Sequence, residues 1–323
     1  MNQPSAASPS GADFAHDGLA SDTPTPAGTQ RDASDESDTP NPLPMSGLRV
    51  IDVGTFLAGP YAASMLGEFG AEVLKVEHPI AGDPMRRFGT ESKRHDATLA
   101  WLSEGRNKKS VTLDLRQQEG VELFLKLVAK SDVLIENFRP GVMKKLGLGF
   151  EAVQPMNPNL IYGTVTGYGS TGPWAGKPGQ DLLAQSMSGL AWLSGNADQG
   201  PVPMGLAIAD LTCSAHLVEG VLACLVRRGI TGAGGRVEVS LLESILDLQF
   251  EVITTHLNDG GRTPERSAVN NGHAYLGAPY GIYATADGHL ALAMGVVPRL
   301  GELLGCAPSI GEQNVFLTAE FQL

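Results

Sequence analysis

The chain has 323 residues, of which 42% are hydrophobic, so it is long enough for one large domain or two ordinary ones with a sizeable core. Its formal net charge of −12 argues against a general nucleic-acid-binding protein, whose affinity would depend on neutralising phosphates. Three cysteines without a spacing pattern exclude a disulfide scaffold and a cysteine-rich zinc module.

The first 44 residues differ in composition from the rest. They are rich in Ser, Thr, Pro, Ala, Gly and Asp, and they carry half of the net charge, with Arg31 as their only fixed base. Such a segment buries too little apolar surface to offset the entropy of ordering, so we expect residues 1–44 to be disordered. There is no secretory signal pattern and no apolar run of membrane-spanning length, so we expect a cytoplasmic protein that does not contact a membrane.

From Leu48 onward, short apolar runs alternate with amphipathic stretches. Segment 119–131 places Val121, Phe124, Leu125 and Val128 at the spacing of one helix face. The apolar runs predict strands at 48–53, 72–77, 110–115, 132–137 and 160–168. Strand–helix–strand units of this length predict an α/β fold with a Rossmann-like open parallel sheet and flanking helices.

The second half of the chain predicts mainly helices. These cover 182–193, 210–228 and 237–257. Residues 258–272 resemble a linker, and 278–294 predict two strands joined by a turn at 286–288. We therefore predict a large domain over 45–260, followed by a linker and an incomplete, smaller α+β domain over 261–323.

The usual nucleotide and metal motifs are absent. No G-x-G-x-x-G follows the first predicted strand, and Pro60 removes an N–H donor from the loop there. The seven histidines are scattered, so no metal site is expected. Basic residues instead flank several predicted strands, at 106–109, 116, 139 and 144–145. They either solvate exposed helix starts or bind a phosphorylated ligand, with Phe138 beside its ring.

Two acids precede predicted helices. Asp210 ends an apolar stretch in PMGLAIADLTCSAH (203–216), and Asp181 lies in KPGQDLLAQ (177–185). On the residues alone, capping of a helix N-terminus is the favoured interpretation of both. The functional alternatives are a nucleophilic carboxylate at the mouth of a cleft for Asp210 and a base for Asp181.

Longer segments resemble the class III CoA-transferases, the CaiB/BaiF family that includes formyl-CoA transferase, carnitine CoA-transferase and α-methylacyl-CoA racemase. The resemblance extends from about Met45 to about Gly305. Segments that carry it include GLRVIDVGTFLAGP (47–60), SDVLIENFRPG (131–141), PGQDLLAQ (178–185) and PVPMGLAIADL (201–211). It implies transfer of CoA from an acyl-CoA donor to a carboxylic acid through an aspartyl anhydride and an aspartyl-CoA thioester. It also implies an interlocked homodimer, with coenzyme A as a substrate and no cofactor.

The resemblance assigns roles to individual residues. The nucleophile falls on Asp210, and a second acid near the active site falls on Asp181. The residues implied in CoA binding are Leu57, Ala58, His78, Leu113, Arg116, Asn137, Phe138, Arg139 and Lys145.

Two departures from the family suggest alternatives. Gln180 stands where the racemase branch has a histidine, so a transferase is favoured over an acyl-CoA racemase or epimerase. After about Cys306 the sequence no longer resembles the family, whose members continue with a segment that returns to the large domain. A C-terminally shortened, inactive fragment is therefore the third hypothesis.

Overall fold

The computed structural model describes residues 42–93, 97–266, 270, 272–276, 279–293 and 297–305. Its centre is a six-stranded parallel sheet in the order β3-β2-β1-β4-β5-β6. The strands are β1 (Arg49–Asp52), β2 (Glu72–Glu77), β3 (Lys108–Thr112), β4 (Val133–Glu136), β5 (Ile161–Thr166) and β6 (Gly235–Ser240). This is the doubly wound order, and it confirms the predicted Rossmann-like class. The strand order reverses between β1 and β4, and sheets of this type bind ligands at that point.

Helices cover both faces of the sheet. They are α1 (Ala58–Glu68), α2 (Leu99–Glu104), α3 (Gln118–Val128), α4 (Val142–Lys145), α5 (Phe150–Val153), α6 (Asp181–Met187), α7 (Leu190–Leu193), α8 (Ile208–Thr231), α9 (Leu241–Leu248), α10 (Phe250–Asn258) and α11 (Val297–Leu303). A short 3-10 helix, Pro84–Arg87, follows β2.

The core has two halves because side chains alternate between the faces of a strand. Val50, Val133 and Ile161 pack with α1, α8 and α9 on one face. Ile51 and Leu134 pack with α3, α4 and α5 on the other. All residues of β4 and β5 are buried, as expected for central parallel strands.

The prediction of one helix over 237–257 was wrong in part. It begins inside the edge strand β6, and the rest divides into α9 and α10 at Gln249. In β6, Val237 and Val239 pack against the core while Arg236 and Glu238 alternate with them. Ser240 ends the strand and caps α9 by accepting the Glu243 N–H at 3.2 Å. The third strand also begins two residues earlier than predicted and ends at Thr112.

Helix α8 is the longest helix of the described residues. By length and composition alone it is apolar enough to cross a membrane, which the sequence analysis had missed. Its residues Ala209, Cys213, Leu217 and Val221 are fully buried against the sheet. Core helices of globular proteins meet the same criteria, so this finding gives only weak support for a membrane span.

The hairpin β7 (Gly281–Ala284) and β8 (His289–Leu292) is antiparallel and confirms the predicted strand pair. Residues 1–41 and 306–323 lie outside the described residues. The disordered tail and the departure from the family after Cys306 therefore stay predictions, as do the domain boundaries.

Candidate active site

Two adjoining cavities open at the carboxyl edge of the sheet and share Thr55 and Phe138. The smaller, of about 260 Å³, is lined from the ends of β1, β2 and β3. The larger, of about 540 Å³, is lined from the loops after β1, β4 and β5 and from the start of α8. They lie on either side of Phe138, next to the point where the strand order reverses.

Asp210 lies in the first turn of α8 and lines the larger cavity. Its carboxyl group is partly buried. Burial, reinforced by the negative charge of Asp181, raises its pKa to about 6. Asp210 is therefore ionised at neutral pH, but less readily than an exposed aspartate.

Asp181 is the first residue of α6, and its carboxylate holds the start of α8. Its Oδ1 accepts the N–H groups of Ala209 at 2.6 Å and Asp210 at 3.3 Å. Its Oδ2 accepts from Gln185 Nε2 at 2.6 Å. No side chain from the preceding residue caps α8, so this acid from another helix supplies the cap. Capping by each acid of its own helix was therefore wrong: Gln180 is the N-cap of α6 and Ala207 that of α8, with no side-chain cap from either. Asp181 caps α8 instead, which places it beside Asp210.

Asn137 holds the loop between β1 and α1. It accepts the Thr55 N–H through Oδ1 at 2.8 Å and donates from Nδ2 to the Thr55 carbonyl at 2.7 Å. A Cβ on Gly54 would lie 3.0 Å from the same Oδ1, so a larger residue there would displace the amide. The loop therefore presents Leu57 and Ala58 to the larger cavity at a fixed place.

A set of buried ionisable side chains, which we call the buried ion cluster, lies against the same loop. Its side chains are at most 3% exposed, and its members are Asp52, Lys75, Asp83, Glu104 and Lys108. Lys75 Nζ lies 2.8 Å from Asp83, and Lys108 Nζ lies 2.9 Å from Asp52. By sequence, Lys108 is one of the bases available to a phosphate, but its burial excludes that role. Its neighbours Arg106 and Lys109 pair with Glu68 and Glu72.

The cluster holds the loop and the first turn of α1 by three backbone atoms. Lys75 donates to the Gly54 carbonyl at 2.6 Å, and Lys108 donates to the Pro60 carbonyl at 2.7 Å. Asp83 accepts the N–H of Phe56 at 3.1 Å. Phe56 has φ +60°, an unusual value for a side chain of its size, and this bond helps to hold it there.

His78 and Arg116 meet at the smaller cavity. Arg116 Nη2 lies 2.6 Å from His78 Nε2, and the guanidinium also pairs with Asp114. This pairing lowers the pKa of the half-buried Asp114 carboxyl to about 2. Leu113 lies beside them in the cavity wall. The residues after β2 and β3 thus place one guanidinium and one imidazole at the same opening.

Phe138 is oriented by the residue that ends β4. Its N–H donates to Glu136 Oε2 at 2.8 Å. Burial raises the pKa of Glu136 to about 7. Arg139 follows at the exposed rim of the larger cavity, whereas Lys145 lies exposed on α4 and lines neither cavity.

The structure thus gathers all predicted site residues except Lys145 around the two cavities. It adds Asp83 and Lys177, which sequence analysis did not select. Asp83 follows β2 in a stretch without a recognisable motif. Only its contacts in the fold therefore show that it lies beside the smaller cavity. Lys177 lies four residues before Asp181 in the sequence. Its position ahead of a predicted helix is the one feature of the sequence that could have marked it as a candidate.

Comparisons with known proteins agree with this geometry. A family model described as CoA-transferase family III matches residues 45–315. The succinyl-CoA–L-malate CoA-transferase alpha subunit of Chloroflexus aurantiacus is 51% identical over 261 residues, 79% of this chain and 60% of the relative. Mouse succinyl-CoA:glutarate CoA-transferase is 36% identical over 260 residues, 80% of this chain and 58% of the relative.

Among solved structures, a CaiB/BaiF family protein from Brucella suis has a TM-score of 0.75 and 34% identity. The match covers 83% of this chain and 71% of the Brucella suis chain. This chain spans about 60% of the length of the two curated relatives.

Proposed function

The chain belongs to CoA-transferase family III, and on that premise we propose that it moves CoA from an acyl-CoA thioester to a carboxylic acid, with Asp210 as the nucleophile. The place and ionisation of Asp210 carry the proposal. Asp210 stands at the wall of the larger cavity, its backbone N–H is held by Asp181, and its pKa of about 6 leaves it ionised at neutral pH. A carboxylate nucleophile suits this transfer because an acyl anhydride keeps the activation of a thioester, which a serine ester would lose.

The proposed reaction needs no net proton transfer. A carboxylate oxygen of Asp210 attacks the thioester carbonyl, the C–S bond breaks, and CoA leaves as a thiolate. The thiolate then attacks the aspartyl carbonyl of the anhydride, which releases the donor acid and forms aspartyl-CoA. An acceptor carboxylate attacks that thioester, and the released thiolate attacks the acceptor acyl carbon to regenerate Asp210.

The smaller cavity suits the phosphate end of CoA. His78 Nδ1 faces the N–H groups of Ile80 and Ala81 at 3.2 and 3.1 Å, so it accepts and the ring proton of the neutral imidazole lies on Nε2. That proton then points at the Arg116 guanidinium, which is also a donor. A phosphate oxygen that contacts both nitrogens from the cavity side would accept from both. Phe138, shared by the two cavities, marks the path from this end to Asp210.

The substrates proposed are dicarboxylic acids and their CoA thioesters. The names of the two relatives pair succinyl-CoA with malate or with glutarate. A racemase or epimerase has less support because Gln180, at the wall of the larger cavity, cannot exchange a proton at neutral pH.

For the assembly, we propose a dimer. Exposed apolar side chains on α8 and α10 offer a surface for it, among them Val226, Ile230, Phe250 and Leu257. One relative is named as an alpha subunit, so a pair of unlike subunits is the alternative to a homodimer.

The test is mass spectrometry of the protein after incubation with succinyl-CoA. We expect a CoA adduct on the peptide that contains Asp210, and none in Asp210→Asn. An adduct elsewhere, or transfer that survives the substitution, would refute the role of Asp210. A folded protein that forms no adduct with succinyl-, malyl- or glutaryl-CoA would refute the proposed chemistry.

A further inference from the structure

The loop between β5 and α6 closes on itself beside Asp210. Its ends touch at Gly167 and Gly179: a Cβ on Gly167 would lie 2.4 Å from the Gly179 Cα, and a Cβ on Gly179 would lie 2.2 Å from the Gly167 Cα. Both positions therefore require glycine. The eleven residues between them form a compact closed loop whose ends line the larger cavity. We call residues 167–179 the glycine-necked loop.

The glycine-necked loop places an ammonium group over an aromatic pair. Lys177 Nζ lies 3.9 Å from the centroid of the Trp174 ring. Trp174 in turn packs edge-to-face against Tyr168, with ring centroids 5.3 Å apart. The Lys177 N–H also donates to the Trp174 carbonyl at 2.9 Å. A cation held over indole has fewer positions to choose from than a free surface lysine.

Lys177 lacks an acidic partner in the part of the chain that the structure describes. The larger cavity is lined by two cations, Arg139 and Lys177, and by two acids, Asp181 and Asp210. Both carboxylate oxygens of Asp181 already accept hydrogen bonds, one from the backbone of α8 and the other from Gln185 Nε2. Arg139 follows Phe138, at the passage from the smaller cavity, and the family resemblance assigns it to CoA. Lys177 is the cation left on the side of the cavity formed by Gln180 and Asp181.

We propose that Lys177 binds the far carboxylate of a dicarboxylic acid while its near carboxyl group reacts at Asp210. This inference rests on the proposed function, and it names the residue that selects the acid. A dicarboxylate brings a second negative charge into a cavity that already holds two carboxylates, so its entry needs a positive partner. A monocarboxylic acid of the same length brings no such charge and gains nothing from Lys177. The lysine therefore acts on specificity and not on the bond-making step.

The experiment compares the wild type with Lys177→Met and with the control Lys130→Met, an exposed lysine before β4 at the opposite edge of the sheet. The rate of aspartyl-CoA formation is measured with succinyl-CoA and with butanoyl-CoA, which differ in the far carboxylate. Loss of a charge-assisted hydrogen bond predicts a fall of about 10- to 100-fold in the specificity constant for succinyl-CoA in Lys177→Met. The same substitution changes that constant by less than about 3-fold for butanoyl-CoA, and Lys130→Met changes neither.

A second readout does not depend on transfer. Succinate is titrated while tryptophan emission is followed, because Trp174 lies against Lys177. We expect a saturable change in the wild type that disappears in Lys177→Met and persists in Lys130→Met. An equal loss of rate with both thioesters would place Lys177 on CoA and overturn the proposal, as would succinate binding unaffected by Lys177→Met. If no thioester forms an adduct but succinate binding depends on Lys177, the proposed function falls and the carboxylate site stands.

Discussion

Asp181 and Asp210 are tied together through the backbone of α8, since the Asp181 carboxylate accepts the Asp210 N–H at 3.3 Å and the neighbouring Ala209 N–H at 2.6 Å. One acid therefore has two effects on the other. It fixes the turn that presents Asp210, and its charge helps to raise the Asp210 pKa to about 6. The two effects can be separated by substitution.

Asp181→Asn keeps an oxygen for the α8 cap but removes the charge. The Asp210 pKa then falls, because only burial continues to raise it. The acidic limb of the transfer rate against pH is expected near pH 6 in the wild type and at lower pH in Asp181→Asn. Asp181→Ala loses the cap as well and should cost about 1 kcal/mol of unfolding free energy beyond the loss in Asp181→Asn. Identical pH profiles in the wild type and Asp181→Asn would contradict this coupling.

Asn137→Ala releases the loop that carries Leu57 and Ala58, since both bonds to Thr55 are lost. We expect the KM for the acyl-CoA to rise about tenfold, in keeping with the loss of a net 1–2 kcal/mol of positioning. The matched control is Asn157→Ala. Asn157 also ties two loops together, by donating to the carbonyls of Val128 and Ser131, but at the other edge of the sheet. Asn157→Ala should lower stability and leave the KM unchanged, and an equal rise of KM in both variants would contradict the assignment.

Arg116→Met removes the guanidinium that faces His78. If the 3′-phosphate of CoA lies between these two side chains, the wild type discriminates against thioesters of 3′-dephospho-CoA, and Arg116→Met loses most of that discrimination. The KM for the full thioester should rise about tenfold or more, and added salt should reduce the difference. Lys109→Met, in which an exposed pair with Glu72 is lost, is the control. Discrimination that survives in Arg116→Met would place the 3′-phosphate elsewhere.

The sequence predicted the sheet, and every candidate site residue except Lys145 lines one of the two cavities. Particular residues explain where the sequence was insufficient. The central strands are apolar throughout, and the motif segments fall at their carboxyl ends, so topology alone brought Asp210 and Phe138 to one edge. The apolar residues from Val237 to Ile245 fit both a strand and a helix by their periodicity. Pairing with β5 makes the part up to Ser240 a strand, and the part after it forms α9. Lys108 looked like a surface base, because its partners Asp52 and Glu104 come from separate elements and only the fold brings them together.

Glu104 gives the last prediction, which concerns stability. Its side chain is buried, and neither carboxyl oxygen has a hydrogen-bond partner in the described part of the chain. Lys108 Nζ lies 3.6 Å away, but burial outweighs this attraction and raises the Glu104 pKa to about 8. The folded protein therefore holds a proton on Glu104 between about pH 4.5 and 8, where the unfolded chain has released it.

Since the folded state binds the extra proton, the free energy of unfolding should fall as pH rises through this window and level off above pH 8. A single group contributes a slope of about 1.4 kcal/mol per pH unit. Glu104→Gln keeps a neutral side chain of the same size, so it should remove this slope and be more stable than the wild type at pH 8. Urea unfolding from pH 5 to 9 measures the difference, with the exposed Glu68→Gln as control. Parallel curves for the wild type and Glu104→Gln would mean that Glu104 is ionised in the fold, and that Lys75 and Lys108 offset its burial.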